Sequence, residues 1–282
     1  MEEQEFESGE ELLKTKQRER QIRKGQKKQS FLKSLTRFIT GLGIISGIYY
    51  FSTLSGWYLP QDAFRTCPPS VIQIVNNKIA KTSKIKSTVK DIEVPQSPLF
   101  LANMQELREK LISLPPVDNV YIRRYAFPAR ILIIVQESTP VITISPDATV
   151  KPVAAFTKDA KLITGADYLP LPQEYKTILV LSYGNKGDDY TKWDLTKIKE
   201  IEKISKYVET FSREQVEYID LRNPKDVYVK VQTAPIRLGH LDTGIYDRIK
   251  RIPSILPQVK QVKGKVKYID LSWEKVNYLK ME

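Results

Sequence analysis

Reactive side chains are scarce in this sequence of 282 residues. It contains one histidine, His240, and one cysteine, Cys67. A single histidine excludes the usual zinc clusters and almost every nucleophile–histidine–acid site, and a single cysteine excludes an internal disulfide. The sequence also lacks a glycine-rich phosphate loop. Carboxylate-only or Ser/Lys chemistry stays open as an alternative, but the sequence shows no motif for it. We therefore predict a non-enzymatic protein without metal or cofactor, in which His240 is a solvated loop residue and Cys67 is an unreactive bystander.

A short repeat near the C-terminus is the most distinctive pattern. The letters YIDL occur at 218–221 and return fifty positions later, at 268–271. Their β-branched and aromatic residues favour strands, so the two copies predict similar pieces of one sheet. A chance match is the alternative. Two further residues recur at the same spacing: Tyr228 with Tyr278, and Lys230 with Lys280.

An uncharged segment of 22 residues runs from Phe38 to Leu59. About 20 apolar residues in a helix cross the hydrocarbon core of a bilayer. Trp57 and Tyr58 suit the membrane interface, and Pro60 would end the helix. A buried core helix is the alternative, but such a helix normally shows a polar face. We therefore predict a transmembrane anchor whose ends are Phe38 and Leu59.

The charges around this segment predict its orientation. Residues 14–37 hold ten Lys/Arg and one acidic residue, Glu19. Positive charge stays on the cytoplasmic side, so residues 1–37 are expected to be a cytoplasmic, basic, disordered tail and residues 60–282 to lie outside. The long polar leader argues against a cleaved signal peptide. The net charge of +12 then indicates a solvated surface, or contact with anionic lipid or an acidic partner, and not nucleic acid.

The exported region begins with a recognisable order of elements. Residues 60–70 are proline-rich and predict a linker. Val71–Asn77 predicts a strand, and a basic helix follows to about Asp91. A second helix is predicted over 103–114, with Glu106 and Lys110 paired across one turn. Two alternating runs then predict a hairpin, which gives the order β-α-α-β-β.

That order resembles a POTRA domain, here over residues 71–140. The stretch LPPVDNVYIRRYAFPARILIIVQESTPV is similar to the family's sequence pattern. One departure is Ser138, where family members often have arginine. The residues that carry the pattern are Pro116, Val117, Val120, Ile122, Arg123, Pro128, Ile131, Ile133, Val135, Glu137 and Pro140.

A POTRA domain directly after a single anchor is similar to the FtsQ/DivIB family of bacterial cell-division proteins. The resemblance implies that residues 141–282 form the family's β domain. An amphipathic stretch from Leu195 to Phe211 predicts one helix of that domain, with its apolar stripe in the core. Pro253 and Pro257 should kink or end a later helix. The predicted fold class is α+β: a single transmembrane helix, the POTRA domain, and a C-terminal mixed β-sheet domain with flanking helices.

The resemblance also implies a partner site at the C-terminal strand. There the family receives a segment of an FtsB/DivIC-like protein, which pairs with an FtsL-like protein and, indirectly, with the septal peptidoglycan synthase. Tryptophan is enriched at binding hot spots, although packing of Trp273 against the sheet is an equal alternative. Ser272 stands where the family has a basic residue. The predicted partner-binding residues are Tyr268, Ser272, Trp273, Glu274, Lys275 and Val276.

These observations predict a divisome scaffold of the essential type, which recruits its partners without chemistry of its own. Its predicted location is the bacterial inner (plasma) membrane, with the C-terminus periplasmic or extracytoplasmic. A membrane-anchored POTRA protein of envelope assembly or secretion is the first alternative, and an anchored cell-wall enzyme the second.

Overall fold

The computed structural model describes residues 32–184, 189–262, 264–273 and 278–281. The chain divides into two compact units, Met1–Trp57 and Tyr58–Glu282. Residues 1–31 of the predicted disordered tail lie outside the described residues.

The first unit contains one long helix, α1, over residues 32–52, followed by a 3-10 turn at Ser55–Trp57. Residues 32–37, predicted as part of a disordered tail, are therefore helical. Within the described ranges, no helix combines the length and the apolar character needed to cross a membrane, so the transmembrane helix predicted over 38–59 is not found. Its predicted end, Leu59, is buried in the core of the second unit.

The second unit begins with a three-stranded sheet in the order β1-β3-β2, with β1 parallel and β2 antiparallel to the central β3. This is the predicted β-α-α-β-β order. Buried Leu107 and Leu111 give helix α4 its core face, and Glu106 and Lys110 are paired at 3.0 Å. The elements are α2 (Ala63–Thr66), β1 (Ile72–Val75), α3 (Thr82–Val89), α4 (Gln105–Ile112), β2 (Val117–Tyr125) and β3 (Arg130–Glu137).

The segment predicted as a linker is part of this domain. Ala63 and Phe64, in the helical turn α2, are buried, as is Cys67 directly after it. All three belong to the same hydrophobic core as the sheet. The prolines of residues 60–70 therefore flank a packed turn, because the aromatic ring of Phe64 has apolar partners to bury against.

The C-terminal part is a nine-stranded mixed sheet in the order β12-β11-β10-β9-β8-β7-β4-β5-β6. Neighbouring strands are parallel at β4–β7, β7–β8 and β10–β11 and antiparallel elsewhere. The elements are β4 (Pro140–Ser145), β5 (Ala154–Thr157), β6 (Leu162–Thr164), β7 (Ile178–Leu181), α5 (Leu195–Ser212), β8 (Val216–Asp220), β9 (Val227–Val231), β10 (Pro235–Gly239), α6 (Ile245–Lys250), α7 (Ile252–Val259), β11 (Val266–Asp270) and β12 (Tyr278–Met281).

The helices of this part follow the sequence pattern closely. The Asp194 carboxylate caps α5 by accepting a hydrogen bond from the Lys197 backbone N–H at 2.9 Å. The predicted stripe of α5 is buried at Ile198, Ile201, Ile204 and Val208, whereas Leu195 at its start is exposed and Phe211 at its end is half-buried. A helix break at Arg251 separates α6 from α7, two residues before Pro253, as that proline predicted, whereas Pro257 lies inside α7, which continues to Val259.

The sequence repeat has a structural counterpart. The units β7-α5-β8-β9 and β10-α6-α7-β11-β12 both consist of a strand, a helical connection, a parallel neighbouring strand and an antiparallel return strand. Both hairpins also contain an irregularity at the same place in the ladder. The shared register is Tyr218 opposite Lys230 and Asp220 opposite Tyr228 in the first unit, and Tyr268 opposite Lys280 and Asp270 opposite Tyr278 in the second.

Glu137, at the end of β3, ties the sheet to the start of α3. Its carboxylate accepts hydrogen bonds from three consecutive backbone N–H groups, those of Lys78 at 2.8 Å, Ile79 at 2.8 Å and Ala80 at 2.7 Å. Ile79 and Ala80 are buried. The N–H groups of Ile79 and Ala80 would otherwise lack partners in a buried place, so the glutamate of the POTRA pattern has a structural role.

We expect Glu137→Ala to lower the free energy of unfolding by about 2–4 kcal/mol, because it leaves three donors without their charged acceptor. Urea unfolding followed by circular dichroism measures the change. The control is Glu93→Ala, which removes a glutamate from an exposed position and should shift the midpoint little. Equal midpoints for the two variants would contradict this role.

Candidate partner-binding edge

Strand β12 is the terminal strand of the nine-stranded sheet. It pairs antiparallel with β11, and among the described residues no strand lies on its other side. Its side chains are exposed: Tyr278 by 55%, Leu279 by 37% and Met281 by 39%. An edge strand of this kind presents unpaired backbone N–H and C=O groups to any extended segment.

Three of the six predicted site residues lie in β11 or directly after it, and β11 is the strand that pairs with β12. Tyr268 lies in β11 opposite Lys280, whose ammonium is 5.5 Å from the centre of the Tyr268 ring. Ser272 and Trp273 follow β11 directly, and the Trp273 side chain is 61% exposed. An exposed indole is available to pack against an incoming chain. The other three predicted residues, Glu274, Lys275 and Val276, lie outside the described residues.

Asp270 organises the end of β11. Asp270 is buried, with 5% of the residue exposed, and its carboxylate accepts hydrogen bonds from the hydroxyl and the backbone N–H of Ser272. The Arg237 guanidinium of β10 donates to it at 2.8 Å and to Asp226 at 2.7 Å. Burial alone would raise the pKa of the Asp270 carboxyl, but the Ser272 hydrogen bonds and the Arg237 charge outweigh it and hold that pKa below its ordinary value.

In the first copy of the repeat, the aspartate equivalent to Asp270 is Asp220, and its carboxylate has a different set of partners. Asp220 accepts a hydrogen bond from the Arg222 backbone N–H at 3.0 Å, and also pairs with the Arg222 guanidinium at 2.6 Å. In the second copy Ser272 takes the place of Arg222, and the arginine comes from β10 instead. Ser272 also packs against Gly239, where an added Cβ would lie 2.8 Å from the Ser272 Cβ. Gly239 has φ +75°, so glycine fits this position for two reasons.

Arg251 holds the segment that carries Trp273. Its guanidinium donates to the backbone oxygens of Leu271 and, at 2.8 Å, of Trp273. Arg251 lies between the two helices of the connection, α6 and α7. Sequence reasoning missed Arg251, Arg237 and Asp226. Their relevance follows from strand and helix neighbours, and no local motif marks them.

We expect the ion pair of Asp270 to make the acid sensitivity of the fold steeper. Because its pKa is lowered in the folded state, its stabilisation is complete above the unfolded value of about 3.9 and is lost as pH falls through the lower folded value. Asp270→Asn should therefore be less stable at pH 7, by about 1–3 kcal/mol, and lose less stability between pH 5 and pH 3.

Urea unfolding at a series of pH values measures both effects. The exposed residue Asp91 supplies the control variant Asp91→Asn, which should follow the wild-type curve. Parallel pH curves for wild type and Asp270→Asn would contradict the assignment.

Comparison with known proteins identifies the first domain. Residues 67–138 match the family model of the POTRA domain, FtsQ-type. The match starts just before β1 and ends just after β3, so it contains the whole three-stranded sheet with helices α3 and α4. No curated protein matches the chain. Residues 67–138 are therefore an FtsQ-type POTRA domain, and over this domain the chain is similar to proteins of the FtsQ/DivIB family.

Proposed function

We propose that this protein is a non-catalytic scaffold of bacterial cell division, which captures an FtsB/DivIC-like protein on the outer edge of β12. An FtsL-like protein and the septal peptidoglycan synthase would follow through that partner. The FtsQ-type POTRA domain suggests a role in cell division. The observation that carries the capture mechanism is the terminal position of β12, with exposed side chains along its length.

The repeated architecture supports an antiparallel mode of strand addition. In the first unit the return strand β9 is covered by β10, which runs antiparallel to it. β12 is the equivalent return strand of the second unit, and in the described part of the chain it has no such cover. A partner strand could lie next to β12 as β10 lies next to β9. It would then set an apolar residue opposite Leu279, as Ile236 stands opposite Val229. Backbone hydrogen bonds would then supply affinity, and side chains specificity.

Trp273 is the best placed anchor for this partner. Its indole is exposed in the segment that directly follows β11, and Arg251 donates a hydrogen bond to its backbone oxygen. Tryptophan loses little conformational freedom for the area that it can bury, which makes it an effective contact at the centre of an interface.

We expect Trp273→Ala to reduce recovery of FtsB/DivIC-like and FtsL-like proteins at least tenfold, as loss of a hot-spot aromatic does. The measurement is affinity purification of the tagged full-length chain from cross-linked cells, with quantitative mass spectrometry. Tyr121→Ala removes an aromatic that is similarly exposed, by 55%, in the POTRA domain, and is the matched control. In cells depleted of the wild-type chain, Tyr121→Ala should restore septation, whereas Trp273→Ala should leave filaments. Unchanged partner recovery with Trp273→Ala would refute the edge as the capture site.

The location at the inner membrane, with the N-terminus cytoplasmic, is part of this proposal. Its support is the basic segment before Phe38 and the many exposed apolar side chains of α1. We expect the full chain to resist alkaline extraction from membranes, and a C-terminal tag to be cut by protease added outside spheroplasts. Deletion of residues 1–30 should preserve both results. Release of the full chain by alkaline extraction, or a protected tag, would contradict this location.

A further inference from the structure

The two copies of the repeat differ in charge at one position of the hairpin. In the first copy, the Glu217 carboxylate lies 3.7 Å from the Lys230 ammonium across the strand pair. Glu217 lies in the irregular step between Val216 and Tyr218. The second copy has the same step, between Val266 and Tyr268, and the residue in it is Lys267. A pair of opposite charges in the first unit therefore corresponds to two lysines, Lys267 and Lys280, in the second.

The surroundings of the two pairs differ as well. Lys230 is enclosed, with its side chain 21% exposed, and its ammonium also donates to the Val231 carbonyl at 2.7 Å. The next strand, β10, covers that edge and places Pro235 opposite Lys230. Lys267 and Lys280 are both exposed and lie beside the uncovered edge of β12. Lys267 and Lys280 therefore stand in the register that Glu217 and Lys230 have in the first unit, but neither of them is acidic.

We propose that Lys267 and Lys280 select an acidic partner strand, in which an Asp or Glu side chain stands opposite Lys280 and takes the role that Glu217 has in the first unit. This inference rests on the proposed addition of a strand to β12. Opposite charges that face each other across a strand pair are attractive, and like charges repel. The same two lysines therefore disfavour a basic strand and disfavour pairing of this edge with the β12 of a second copy, which would bring four lysines together.

The test uses the full-length chain in detergent and three fluorescein-labelled peptides of nine residues. Each peptide alternates Val with Thr, and the central polar position is Glu, Gln or Lys. Binding is measured by fluorescence anisotropy at low and at high salt. The Glu peptide should bind roughly tenfold more tightly than the Lys peptide, with the Gln peptide between them, and the difference should shrink at high salt because the charges are exposed.

Charge reversal at Lys267 is the decisive variant. Lys267→Glu recreates the pair of the first unit, so it should remove the preference for the Glu peptide while the Gln peptide binds as before. Lys206→Glu makes the same change of charge at an exposed position of α5 and should keep the preference. Equal binding of the Glu, Gln and Lys peptides to the wild type would overturn the inference, as would an unchanged preference in Lys267→Glu.

Two further outcomes separate this inference from the proposed function. Loss of partner recovery with Trp273→Ala, together with peptides that bind without regard to charge, would sustain strand capture and refute charge selection. A peptide-free chain that sediments as a dimer, and that the Gln peptide converts to a monomer, would show that a second copy occupies the edge and would overturn the inference. Binding of none of the three peptides would also overturn it.

Discussion

The hydrogen-bonding demand of the β-strand backbone is the constraint on which this structure depends. Every strand has donors and acceptors on two sides, and a sheet ends wherever the next strand is missing. In the C-terminal sheet, the first repeat unit ends in β9 and the second unit begins with β10, so the demand of β9 is met within the chain. The second unit ends in β12, and no described strand meets its demand. The proposed partner strand would hydrogen-bond to β12 as β10 does to β9.

The strands and segments beside the open edge are linked by charged groups with backbone and side-chain partners. Asp270 joins β11 to β10 through Arg237, and Arg251 joins the helical layer to the segment after β11. An edge that is fixed before binding loses less conformational entropy when a second chain adds to it. The POTRA domain uses a comparable device, because Glu137 fixes the turn between β1 and α3 through backbone donors.

Several features of the fold could be predicted from local pattern. The POTRA order, the buried stripe of α5 and the helix break before Pro253 all depend on residue periodicity or on proline, which act over a few residues. The predicted linker at 60–70 was wrong because proline content does not reveal whether a ring such as that of Phe64 will find a core. The predicted membrane-spanning helix over 38–59 was not found: α1 begins earlier and ends at residue 52, and Leu59 packs with the second unit.

The sequence by itself determined the scarcity of reactive side chains, the FtsQ-type POTRA pattern and the existence of two YIDL copies, because each of these is a property of residue types and short spacings. The tertiary structure decided where each copy lies in the sheet and which residues it faces. Strand order placed one hairpin inside the sheet and the other at its edge, and register set Lys267 in the position of Glu217. Those relations join residues far apart in the chain through packing and hydrogen bonds, which local sequence does not encode.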